Sequence, residues 1–369
     1  MSAERGMRIL MTADAVGGVW QYATGLSASL TAAGHEVTLA ALGPAASLEQ
    51  RCGAEAIEGL TLIETGLPLD WLSDGPGPVE QAAAALARLA VETGADLVHC
   101  NMPTLAGAAQ FPMPLITVTH GCVATWWQAA KNEPLAPDYR WHRAMMGRGL
   151  AAADAVVAPS AAYAATIKRT YRLSAMPRVV HNGRVPICEP VEGAEPMQAA
   201  LTVGRLWDRV KNAAVLDRAA ATLDTPFLAA GAQTGPHGET VALANLDLAG
   251  EIGTRELGAL LAQRPVFVSA ATFEPFGLAV LEAAAAGCAL VLSDIPTFRE
   301  LWDGAARFVD ADDADGFASE IETLLRDREQ RAALGGAAAR RAQRFTPAAA
   351  AAGMRTIYAE CLGRREAAA

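Results

Sequence analysis

Charge is scarce in this chain of 369 residues: Asp, Glu, Lys and Arg together make up 19%, against 52% apolar residues. A disordered polypeptide needs the opposite balance, so the composition describes a folded protein with large cores. Positive charge is the scarcer sign, with 30 Lys and Arg facing 40 Asp and Glu, and a net charge of −10 argues against general nucleic-acid binding. Long apolar runs are missing too. The nearest approach to a membrane span, around Leu105 to Val123, is broken by Pro112 and Pro114. Met1 to Gly6 hold no apolar core of a signal peptide. The six cysteines, Cys52, Cys100, Cys122, Cys188, Cys288 and Cys361, include no close pair. They suit reduced thiols in the cytoplasm better than a disulfide framework or a zinc site.

What is present is a regular alternation of short apolar strands and helices, long enough for two domains. Arg8–Thr12 reads as a strand, followed by a turn at Gly17-Gly18 and a helix from Val19 with apolar positions Val19, Tyr22, Leu26 and Leu30. Gly34 ends that helix and Glu36–Ala41 is the next strand, which completes a βαβ unit. Ala95–Cys100, Pro114–Thr119 and Ala155–Ser160 continue the series. A second series runs through Ala200–Gly204, Pro226–Ala230, Pro265–Val268, Ala289–Ser293 and Arg307–Val309. Between the two, Arg184 to Pro196 carries Pro186, Pro190 and Pro196 and reads as a linker. Thr346 as N-cap and Pro347 at the first helical position open a last helix that runs to about Leu362. The expected class is α/β, two doubly wound Rossmann-like domains, at 1–183 and 184–345, with a C-terminal helix over 346–369.

The most informative stretch is Glu274-Pro-Phe-Gly-Leu-Ala-Val-Leu-Glu282, which follows the apolar strand from Pro265. Glu274 falls on the loop, Gly277 near the helix start, and Glu282 about one and a half turns inside the helix. A helix N-terminus with a glycine that admits close backbone approach is a ready phosphate site. Carboxylates beside it accept hydrogen bonds from hydroxyls. Phosphate together with hydroxyls points to a nucleotide sugar. Two glutamates at this spacing also serve as a cap and a solvated helix face, but Leu278, Leu281 and the alanines around Glu282 leave little polar face.

From Thr272 to Gly287 the chain resembles the signature of retaining glycosyltransferases of the GT-B fold, glycosyltransferase family 4, and the likeness extends over nearly the whole chain. It implies two Rossmann-like domains facing across a cleft, with the last helix crossing back to the N-terminal domain. It implies that Glu274 faces the donor sugar, that Glu282 holds the ribose, and that backbone at Phe276, Gly277 and Leu278 meets sugar or diphosphate. Two departures, Ala271 where the family often has Ser and Cys288 where it often has Pro, remove no implied ligand. The stretch from Gly231 to Leu248 is short and unusual for the family's nucleobase pocket.

Other positions gain a role from the same resemblance. Gly17-Gly18 lacks the third glycine of a dinucleotide fingerprint, which disfavours a nicotinamide enzyme. The resemblance gives its amides to the donor, and a tight turn alone explains it equally well. His120 closes a buried strand at the edge where open sheets bind ligands, and it matches the family's histidine that contacts the donor sugar. After the first strand of the second domain, Arg205 offers a planar fork and Lys211 a point charge. The family places such a pair on the diphosphate, while Arg209 reads as a solvated base. Asp310, Asp312, Asp313 and Asp315 have the Asp-x-Asp shape of metal-dependent transferases, yet they precede a helix, where acids favour the dipole. The implied reaction needs no metal and no cofactor beyond a UDP- or GDP-sugar donor. Retention in the family is commonly explained by front-face attack assisted by the leaving phosphate, so no nucleophile is assigned.

Two other readings fit the sequence: a nucleotide-sugar epimerase of related fold, and a catalytically silent carbohydrate-binding or scaffold member. The acceptor is least explicit, a glycan, a lipid-linked molecule or a small molecule. From Lys131 to Arg184 nine bases face only Glu133, Asp138 and Asp154. Arg140, Arg143 and Arg148 alternate there with Trp141, Met145 and Met146, downstream of Trp126-Trp127. The mixture suits an anionic membrane surface at the inner face of the membrane or a phosphate-bearing acceptor, and equally a buried helix with solvated arginines.

Overall fold

A computed structural model describes residues 6–131, 133–189 and 195–368. Met1 to Arg5 and Pro190, on which two of the expectations above fall, lie outside the described residues. The chain forms two compact units, Met1–Gly183 with Pro347–Ala369, and Arg184–Thr346.

The N-terminal domain holds β1 (Arg8–Asp14), β2 (Glu36–Leu42), β3 (Leu60–Glu64), β4 (Leu97–Cys100), β5 (Leu115–Val118), β6 (Ala155–Ala158) and β7 (Arg178–Val179). All pair in parallel, in the order β3-β2-β1-β4-β5-β6-β7. Parallel strands covered by helices on both faces must be apolar on both sides, and Ile9, Leu10 and Met11 are all at most 1% exposed. The first helix, Gly18–Ala32, buries Trp20, Tyr22, Leu26 and Leu30, and Val19 is only half-buried. Gly34 follows it with φ +87°, a left-handed turn that glycine adopts without strain.

The C-terminal domain holds β8 (Ala200–Val203), β9 (Phe227–Ala230), β10 (Asp247–Gly250), β11 (Val266–Ser269), β12 (Leu290–Ser293) and β13 (Arg307–Val309). They are again parallel, in the order β10-β9-β8-β11-β12-β13. Both sheets therefore reverse strand order once, between β1 and β4 and between β8 and β11. Such a reversal marks the edge where open α/β sheets hold ligands.

The last helix, Pro347–Ala368, runs further than its sequence signals indicate. Ala351, Met354, Ile357, Tyr358 and Cys361 are 0–3% exposed and share one core with Trp20, Tyr22 and Leu26. Burial on this scale is worth about 1.5–3 kcal/mol for each large apolar side chain, so this C-terminal segment is an integral part of the N-terminal domain. No helix among the described residues is long and apolar enough to cross a membrane.

Candidate active site

In the C-terminal domain the loops after β8 and β11 meet. The β8 loop opens with Gly204-Arg205 and folds into a short 3-10 turn, Arg209–Lys211. Asp208 caps that turn by accepting a hydrogen bond from the Val210 amide at 3.3 Å. Asn212, left-handed at φ 57°, donates its Nδ2 to the carbonyls of Ala270 at 3.1 Å and Ala311 at 2.7 Å. The Thr272 amide donates to Val210 O at 2.9 Å. These bonds lock the β8 loop onto the β11 loop and bring Lys211 Nζ into an ion pair with Glu274 Oε2. Two residues forecast to serve one ligand, 63 positions apart in sequence, are thus in direct contact.

Gly277 has φ +92°, and a Cβ there would lie 3.2 Å from the Phe298 ring and 3.3 Å from Glu274 Cγ. Only glycine turns the chain here and lets the helix Leu278–Ala285 start beside the Glu274 side chain. No side chain caps this helix, so its first amides are available. Phe276 is different. Its side chain is 2% exposed and meets Phe345 edge-on with centroids 5.6 Å apart, so it anchors the turn in the core and only its backbone can face a ligand.

Glu282, on the first turns of that helix, accepts from Arg184 Nε at 2.6 Å, with side chains 11% and 19% exposed. Sequence reasoning treated Arg184 as part of a linker and missed this partner. Arg205 does not pair with Lys211 or Glu274. Its Nη2 lies 2.8 Å from Asp208, which is 2% exposed, and its guanidinium sits 5.8 Å over the Trp207 ring. A buried carboxylate that both holds Arg205 and caps the loop was legible only as the acid after Trp207. Arg209 is exposed.

Gly231, after β9, was also missed as a determinant. At φ +140° its Cβ would fall 1.7 Å from Gly204 O, so the β8 and β9 loops touch backbone to backbone. The short stretch beyond it closes a small turn, with a bridge between Thr234 and Thr240, and lays Gly235 against the Trp207 ring. The aspartates near 310 have local duties. Asp310 Oδ1 accepts from the Asp312 amide at 3.0 Å and Asp313 caps the helix Ala314–Arg326 through the Gly316 amide at 2.9 Å. Among the described residues no group of three or more His, Cys, Asp or Glu is placed to hold a metal ion.

In the N-terminal domain, Gly17 precedes the helix that starts at Gly18, and no side chain caps it. The helix carries Tyr22 to His120, with ring centroids 4.5 Å apart, so the β1 turn and the β5 end share one sheet edge. Asn101, at the end of β4, organises the rest. Its Nδ2 donates to Thr12 O at 2.7 Å, which leaves Oδ1 as the acceptor for His120 Nε2 at 2.8 Å and His99 Nε2 at 3.1 Å. An amide oxygen only accepts, so both imidazoles carry hydrogen on Nε2. His99 Nδ1 then accepts from the Tyr358 hydroxyl of the last helix, and His120 Nδ1 keeps a lone pair. Burial lowers the pKa of His120 to about 3, with help from His99, and burial alone lowers that of His99 to about 4. Both rings are neutral at neutral pH.

In the segment from Trp126 to Arg148, Trp127, Met145 and Met146 are 7%, 0% and 1% exposed, while Arg140, Arg143 and Arg148 of the helix Arg140–Ala152 are exposed.

Residues 16–185 match the family model described as Glycosyltransferase Family 4, and residues 198–327 match that described as Glycosyl transferases group 1. A phosphatidyl-myo-inositol mannosyltransferase of Mycolicibacterium smegmatis is 40% identical over 87 residues. That match spans 23% of this chain and 22% of the relative, about a fifth of its length. Among solved structures, sucrose-phosphate synthase from Thermosynechococcus elongatus has a TM-score of 0.78 at 19% identity, covering 97% of this chain and all of that one. Anabaena HepE in complex with UDP-glucose gives 0.73 at 16% identity, over 96% of this chain and all of that one. One glycosyltransferase family model thus matches each domain, and the fold of the chain is GT-B.

Proposed function

We propose that this protein is a retaining hexosyltransferase that moves a sugar from a nucleoside diphosphate to an acceptor hydroxyl. The observation that carries the reading is the Lys211–Glu274 pair at the β8/β11 reversal, beside the uncapped helix that bears Glu282. The diphosphate takes Lys211 and Arg205, and Glu274, released from its partner, accepts from a sugar hydroxyl. Amides at Gly277 and Leu278, and at Gly17 and Gly18, complement the phosphates and sugar. Glu282 accepts from the ribose. His120, neutral and oriented by Asn101, presents its Nδ1 lone pair to another sugar hydroxyl. As the bond from the anomeric carbon to the diphosphate breaks, Arg205 and Lys211 stabilise the charge on the leaving oxygen. The acceptor oxygen attacks from the same face and gives its proton to that phosphate.

The HepE structure contains UDP-glucose and the M. smegmatis relative is a mannosyltransferase, so UDP-glucose and GDP-mannose are the donors to try first. Incubation with each donor and a panel of glycan, lipid-linked and small acceptors should yield a product with the donor's anomeric configuration. An inverted product overturns the retaining assignment. An isomerised nucleotide sugar formed without acceptor means an epimerase, and absence of both turnover and donor hydrolysis means a silent binding protein. Activity should survive chelator, because the two bases supply the charge. Activity abolished by chelator and restored by manganese would contradict that assignment.

A further inference from the structure

Arg140, Arg143 and Arg172 line one pocket of about 390 Å³ in the N-terminal domain, together with Gly147, Thr170 and Tyr171. Arg140 and Arg143 stand on the first turn and the next of the helix Arg140–Ala152, and Arg172 ends the helix Ala161–Tyr171. All three are exposed. Among the described residues no carboxylate pairs with any of them, and Arg143 gives its Nη2 to the Thr170 carbonyl at 3.2 Å. Arg8, Arg51, Arg178, Arg184 and Arg299 each face an Asp or Glu, while Arg148, Arg331 and Arg341 bond to backbone carbonyls; Arg140, Arg143 and Arg172 differ in converging on one concavity. In a chain of net charge −10, acids are plentiful, yet this pocket is left wholly positive. The helix bearing Arg140 also begins without a side-chain cap, so its positive end adds to the field.

We propose that this pocket binds the phosphate group of a ligand. Planar guanidinium forks match phosphate oxygens in pairs, and three of them on one concavity leave room for a tetrahedral anion. Because Trp127, Met145 and Met146 are buried, charge rather than apolar insertion drives the contact. Tyr171 ties the pocket to the candidate site, since its hydroxyl meets Cys122 Sγ at 3.1 Å, two residues beyond His120. A phosphate-bearing acceptor would be held there. That identification rests on the proposed function, and the phosphate site itself does not.

The phosphate has two sources, a lipid headgroup or a soluble phosphorylated molecule, and two probes at low salt separate them. One is sedimentation with phosphatidylcholine vesicles with and without phosphatidylglycerol, and the other is calorimetric titration with glycerol 3-phosphate. Binding confined to the anionic vesicles assigns the site to a headgroup. Binding of glycerol 3-phosphate without vesicle binding assigns it to a soluble ligand. In either case Arg140→Gln with Arg143→Gln should weaken binding at least about tenfold, as the loss of charged hydrogen bonds requires. Arg172→Gly, which suits the left-handed φ of 53°, should weaken it without unfolding the domain. UDP affinity, measured on the same samples, should not change. No binding of either probe, or binding that survives the double substitution, overturns the proposal. Failure to bind UDP in the wild type counts against the proposed function and leaves this site standing.

Discussion

At the scale of single residues, the clearest arrangement is the chain Tyr358, His99, Asn101 and His120, joined by hydrogen bonds inside the N-terminal domain. Its tautomers follow from one amide, because Asn101 spends its NH₂ on Thr12 O and can only accept from the two histidines. Tyr358→Phe removes the hydroxyl that fixes His99, a net loss of about 1 kcal/mol, or roughly fivefold in a rate. If Tyr358 and His99 position His120, both Tyr358→Phe and His99→Gln should lower kcat by about that factor and leave donor KM unchanged. An equal fall in thermal stability with no change in kcat would make the chain purely structural. The same histidines give a pH dependence. His99 titrates near 4 when folded and near 6.5 when unfolded, so between these values the unfolded chain binds the extra proton. Stability is therefore full above pH 6.5 and falls as pH drops toward 4, by about 3 kcal/mol from His99 alone. Denaturant melts across that range should show the slope, and His99→Gln should reduce it.

At the scale of elements, the strands that the sequence makes plainest are those inside a sheet, buried on both faces. Arg8–Thr12, Ala200–Gly204 and Ala289–Ser293 are continuous apolar runs because parallel strands inside a sheet must be. β3 and β10 carry no such signal, since they are edge strands, and all four residues of β10 are exposed. The site divides in the same way. Glu274, Gly277 and Glu282 lie within nine residues and form a readable pattern, as do Arg205 and Lys211. Arg184, Asn101 and Tyr358 act through contacts between distant segments, and no local pattern announces those. Gly231 belongs with them: its need for glycine comes from the Gly204 carbonyl across the β8/β9 contact. Gly231→Ala should displace the loop that carries Arg205, costing at least about 1–3 kcal/mol in stability. A melting temperature within a degree of the wild type would show that the loops move apart freely.

At the scale of the molecule, the chain is acidic overall but places its bases in a few deliberate positions. In the C-terminal domain the three bases at the candidate site each pair with a carboxylate: Lys211 with Glu274, Arg205 with Asp208 and Arg184 with Glu282. In the proposed function the two glutamates, eight residues apart on one motif, divide the donor between them, the sugar for Glu274 and the ribose for Glu282. Calorimetric titration of UDP and GDP into wild type, Glu282→Ala and Glu274→Ala tests this division directly. The account predicts that one nucleotide binds, that Glu282→Ala weakens it about tenfold or more, and that Glu274→Ala leaves it nearly unchanged while activity is lost. Equal affinity for all three proteins would contradict it.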